Sequence, residues 1–210
     1  MANKVGWIGE FAYWYWLVTP TKAYAVTTCL CVKTHGRKRH PSEVDAVLTL
    51  KDDNGRQLDV LDTNDELEVA LLSTDYVKGM ESKVWLMSAA VGCNDTVAAA
   101  FDKNTTLVDY VEQPQSFPES LTTLIFPSST LPLGTPVWTA MSEYVVATVR
   151  AVQHGKSLCV PTVFLMPWLS VFRQKHQLAS PFPTSIPFIK HHTPHPSPSS
   201  LGDKEEEVKH

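Results

Sequence analysis

Phe11-Ala-Tyr-Trp-Tyr-Trp-Leu-Val18 is apolar at every position. Successive side chains of a strand point to opposite faces. Phe11, Tyr13, Tyr15 and Leu17 therefore fall on one side, and Ala12, Trp14, Trp16 and Val18 on the other. The pattern runs from Gly6 to Thr19, and a strand with two apolar faces needs a covering layer on each. Either the segment is core, or a second copy of the protein covers it about a two-fold axis. The second reading makes Trp7, Phe11, Trp14 and Trp16 interface anchors and the protein a homo-oligomer.

The segments around it are mostly strand-like. Ala23 to Val32 is rich in Val and Thr. Val44, Ala46, Leu48 and Leu50 alternate with mostly polar residues, Asp53-Asn54-Gly55 tolerates positive φ, and Leu58 and Val60 resume the alternation, which predicts a β-hairpin. Thr63 and Glu66 form a capping box, whereas Leu67, Val69 and Leu71 alternate; residues 64–77 stay open between helix and strand, with strand preferred. Lys83 to Val91 reads as a strand, and Asn94 followed by Asp-Thr-Val-Ala-Ala-Ala as a short capped helix. Gln113 to Pro136 reads as a proline-rich loop around the apolar island Leu121 to Phe126. Met141 to Val152, the turn His154-Gly155 and Leu158 to Leu165 read as a second hairpin, although 141–152 also fits a helical face.

Six prolines between Pro181 and Pro198, interleaved with Ser and His, precede the acidic run Asp203 to Glu207. Such a stretch sustains neither helix nor central strand. The expected organisation is a single β-rich domain over 1–172, a sandwich or barrel with one or two short helices, followed by a disordered tail over 173–210.

A formal charge of −4 with 43% hydrophobic residues gives no global pull toward nucleic acid or anionic lipid. No apolar run reaches the length of a membrane-spanning helix. Cys29, Cys31, Cys93 and Cys159 are too few and scattered for a disulfide framework, which points to a cytoplasmic or nuclear protein. The amino terminus fits a secretory signal poorly because Glu10 interrupts it and Trp14 and Trp16 are bulky.

No motif carries chemistry. Cys29, Cys31, His35 and His40 are zinc-ligand types at the wrong spacing, so no metal or other cofactor is expected. Gly155-Lys156-Ser157 resembles the end of a phosphate-binding loop, but Arg150 stands where the first glycine belongs and Pro161 should block the helix that follows. Cys159 near His154, or Ser157 with a distant His and Asp, supplies a motif-less hydrolase reading. Lys33, His35, Arg37, Lys38, Arg39 and His40 form a basic loop suited to nucleic acid or another polyanion. The sequence thus favours a non-catalytic, self-associating structural or interaction protein of virus-encoded type, with polyanion binding and hydrolysis as alternatives.

Overall fold

The computed structural model describes residues 4–38, 47–88, 95–112, 123–127 and 129–178. The apolar alternation produces two curled antiparallel sheets. The first comprises β1 (Val5–Ile8), β2 (Phe11–Val18), β3 (Lys22–Thr28), β4 (Arg37–Lys38), β5 (Leu48–Lys51), β6 (Gln57–Asn64) and β7 (Val69–Asp75), in the order β1-β2-β3-β7-β6-β5-β4. The short helix α1 (Cys29–His35) links β3 to β4. The second comprises β8 (Thr96–Ala100), β9 (Thr106–Tyr110), β10 (Leu124–Phe126), β11 (Pro136–Thr139), β12 (Val145–Gln153) and β13 (Lys156–Pro161), in the order β10-β13-β12-β11-β8-β9. Helix α2 (Thr162–Lys175) follows.

Each sheet rolls toward closure. The Asp53 amide donates to the Trp7 carbonyl at 3.0 Å, drawing the β5–β6 turn to β1. In the second sheet Glu112 and Ile125 exchange two backbone bonds of 2.9 and 2.8 Å, closing the end of β9 onto β10. Pairing both margins satisfies backbone groups that an open edge would leave to solvent.

Strand β2 is covered on both faces, as its sequence requires. Phe11, Tyr13, Tyr15 and Val18 pack inside the first barrel with Leu50, Leu58 and Leu72. Ala12, Trp14, Trp16 and Leu17 pack against Trp85, Trp138, Val145, Val160, Leu165, Leu169 and Phe172. A register irregularity between Tyr15 and Leu17 exchanges the expected faces of Leu17 and Val18. The second layer therefore comes from the chain's own second barrel and α2. Phe11, Trp14 and Trp16 are buried, and Trp7 packs partly buried against the same core. This corrects their assignment as interface anchors: the surface a partner would have covered is already removed from water.

Both expected turns are present, β5–β6 around Gly55 at φ +80° and β12–β13 around His154 and Gly155. The second hairpin, however, ends at Pro161, with residues 162–165 opening α2, and Val44 and Ala46 of the first lie outside the described residues. The open segment becomes β7. Residues 96–100 form β8 rather than a capped helix, because pairing with β9 and β11 and burial of Val97 to Ala100 override alanine's helix propensity. In place of a strand from Lys83, the described residues show a 3-10 turn (Met80–Lys83) and isolated bridges at Val84 and Met87. Pro161 does not block a helix. It caps α2, where its missing amide has no intrahelical partner to lose, and burial of Leu165, Leu169 and Phe172 holds the helix despite Pro167 within it. The folded unit thus runs past the expected boundary at 172: the Arg173 Nε donates to the Leu178 carbonyl at 3.0 Å and Leu178 packs on the core. The expected tail over 179–210 lies outside the described residues.

Candidate functional site

The barrels join along the loop ahead of β11. The Ala12 amide donates to the Leu133 carbonyl at 2.8 Å, and the next residue, Gly134, donates its amide to Val149 of β12 at 2.8 Å. Gly134 has φ +86°, and a Cβ there would overlap the Ala12 carbonyl oxygen and lie 2.9 Å from the Thr27 hydroxyl, so only glycine fits. The Thr27 hydroxyl itself donates to that Ala12 carbonyl at 2.7 Å.

Beside this junction lies a cleft of about 590 Å³ between the barrels. Helix α1 contributes Cys29, Leu30 and Lys33, the β6–β7 turn Asp65 and Glu68, the junction Leu133, and β12 Arg150, Ala151 and Val152. Thr28 starts α1 by accepting the Cys31 amide at 3.3 Å, which leaves Leu30 facing outward and 49% exposed. Glu68 has φ +58°, unusual for a residue with a side chain, and its carbonyl accepts the Cys29 amide at 3.0 Å. Its carboxylate stands 3.6 Å from Arg150 Nη1, an ion pair that crosses from one barrel to the other. Arg150 Nη2 donates to the Thr123 hydroxyl at 2.6 Å.

Strand β12 outruns its partner β11 along the cleft. Strand β11 pairs with β12 from Val145 to Thr148, and Thr135 extends that pairing to Val149. From Ala151 to Gln153, β12 continues against β13 on its other side. Among the described residues no strand covers the cleft side of residues 150–153.

Among the described residues, Cys29 is the thiol that borders the cleft. Cys29 Sγ donates to the Val69 carbonyl at 3.1 Å, and burial raises its pKa, so the neutral thiol is favoured. Neither sequence-proposed nucleophile lies there. Ser157 is buried on β13, where its hydroxyl donates to the Ser129 carbonyl at 3.0 Å and accepts the Leu131 amide at 2.7 Å. Cys159 is fully buried and its thiol is pushed up to about 12 by desolvation. His154 sits in the exposed β12–β13 turn. Ser157 and Cys159 are therefore structural groups.

The basic loop is divided. Lys33 borders the cleft, whereas His35 and Arg37 line a different pocket on the first barrel, with Lys38 exposed beside them on β4. Arg39 and His40 lie outside the described residues. No group of three or more His, Cys, Asp or Glu among the described residues is placed to hold a metal ion. No helix among them is long and apolar enough to cross a membrane.

No protein-family profile matches this chain, and no curated protein matches it by sequence. Its fold does match solved structures. An HtrA-type protease, AlgW, solved with a decapeptide, superposes with a TM-score of 0.52 at 11% identity, covering 79% of this chain and 52% of that one. The serine endoprotease from Yersinia pestis gives 0.51 at 12% identity, covering 79% and 58%. The chain spans little more than half the length of either protein. What is shared with them is the fold. This finding overturns the expectation of a non-catalytic structural protein of viral type, since the scaffold is one on which solved proteases are built.

Sequence reasoning missed Leu30, Glu68, Leu133 and Arg150 because each belongs to a different segment and the cleft exists only after the barrels dock. The legible traces were the glycine at 134 inside a proline-rich loop and the acidic turn ahead of β7.

Proposed function

We propose that this chain is a protease-type domain that engages an extended polypeptide in the cleft between its barrels, the peptide adding as a strand to the open edge of β12 at residues 150–153. The observation that carries this reading is the edge itself: β12 leaves its barrel partner at Val149 and continues along a cleft with one side unpaired among the described residues. Backbone groups on such an edge give affinity for any extended chain, and flanking side chains select among them. Four strand residues span roughly 13 Å, room for a peptide segment of about four residues. Leu30 and Val152 offer apolar contacts, and Lys33 with the Arg150–Glu68 pair offers charge. AlgW, of which this chain matches 52%, has been solved with a decapeptide, in keeping with a polypeptide ligand.

Reduced, alkylated ribonuclease A, an unfolded polypeptide, tests it, with binding followed by fluorescence anisotropy and cleavage by mass spectrometry of the same samples. Saturable binding that weakens at least tenfold in Leu30→Arg supports the assignment. Binding that is absent, or indifferent to Leu30→Arg in a variant with native circular dichroism, overturns it.

A further inference from the structure

We propose that the outer face of the first barrel carries an oxyanion pocket for a phosphate monoester, formed by His35, Arg37 and Lys51. The strand register builds it. Arg37 pairs with Thr49 across β4–β5, and Lys51 pairs with Gln57 across β5–β6. Directly paired residues, and residues two apart on one strand, share a face, so Arg37, Thr49, Lys51 and Gln57 stand together while Leu50 and Leu58 point into the barrel.

The same four side chains, with His35 from the end of α1, border a cavity of about 480 Å³. The Thr49 hydroxyl donates to the Arg37 carbonyl at 3.3 Å, fixing β4 against β5. The His35 ring lies edge-on to Phe11 at 5.4 Å, with Glu10 3.5 Å from its Nε2. Gly55, at φ +80°, borders the cavity from the β5–β6 turn.

The wall thus holds two permanent cations, an imidazole and two neutral hydrogen-bonding groups, in a chain whose formal charge is −4. Two carboxylates stand behind this wall, Glu10 paired with His35 Nε2 and Asp59 accepting from Gln57 Nε2 at 3.0 Å, and neither borders the cavity. Arg37 and Lys51 match the two charges of a monoester, and the guanidinium fork suits bidentate phosphate binding. A cavity of this size accommodates one phosphorylated group.

Amide and imidazole NMR of the full chain, titrated with inorganic phosphate, phenyl phosphate and dimethyl phosphate against chloride at matched ionic strength, tests the proposal. Saturable shifts confined to 35–37 and 49–57 are expected for phosphate and phenyl phosphate, with the diester at least tenfold weaker. Arg37→Gln with Lys51→Gln should weaken both at least tenfold, while Lys78→Gln with Lys83→Gln leaves them unchanged. Shifts equal in chloride, insensitive to the first pair of substitutions, or strongest with the diester would overturn the pocket, the last in favour of a general nucleic-acid surface.

Discussion

Ala12 and Leu133, 121 positions apart, are joined by a 2.8 Å backbone hydrogen bond that ties the first barrel to the loop opening β11. Gly134 makes that approach possible. Gly134→Ala puts a methyl group into the Ala12 carbonyl at a backbone conformation alanine resists, so a loss of about 3 kcal/mol or more is expected. Gly155→Ala, at φ +75° with nothing within 4 Å, should cost only about 1 kcal/mol. Urea denaturation midpoints of the two variants check the contrast, and equal losses would show that the junction is looser than the close approach implies.

Trp14 fills the layer between the barrels. Trp14→Ala should cost about 3 to 5 kcal/mol, with stability and near-ultraviolet circular dichroism falling together. If Trp14 were instead an anchor between copies, the substitution would leave a stable, folded monomer, an outcome that sedimentation combined with thermal melting would reveal.

Buried thiols should be inert. Desolvation raises Cys29 and pushes Cys31 and Cys159 up to about 12, so none of the three supplies appreciable thiolate near pH 8. Mass-spectrometric mapping after brief treatment with an aromatic disulfide reagent should find these three unmodified in the native protein and modified in urea. Rapid native labelling of Cys159 would revive it as a nucleophile.

Asp53 and Lys103 form a further ion pair between the barrels. The Lys103 ammonium first, and the Gly9 amide second, hold the Asp53 carboxyl below its usual range. A carboxylate with a lowered folded pKa contributes stability above its unfolded value, about 3.9, and that contribution disappears as pH falls through the folded value. Asp53→Asn should therefore reduce stability at pH 7, and the gap from the parent protein should close in acid. Denaturant melts at both pH values check this; a gap unchanged in acid would remove the ion pair from the explanation.

The parts of the fold legible in the sequence were those set by local alternation and turn chemistry. Gly55 and the His154-Gly155 turn marked their hairpins, and the two apolar faces of β2 announced that it must be covered twice. What covers it was hidden, because Trp138, Val160 and Leu169 reach Trp14 only through docking of distant segments. Alanine-rich β8 mimicked a helix for the same reason: its strand pairing is long-range, and local propensity cannot report it. The basic run 33–40 was visible as charge, yet its division between a cleft and a separate pocket depends on the end of α1 and the β4–β5 register. Ser157 and Cys159 drew attention as reactive types, and burial assigns them to structure.

The central claim is that the open edge of β12 receives a polypeptide. Hydrogen exchange read by mass spectrometry, with and without saturating reduced, alkylated ribonuclease A, tests it most directly. Slower exchange concentrated at residues 150–153, accompanied by the α1 segment around Leu30, is the predicted result. Unchanged exchange at 150–153 while the polypeptide is demonstrably bound would contradict the account.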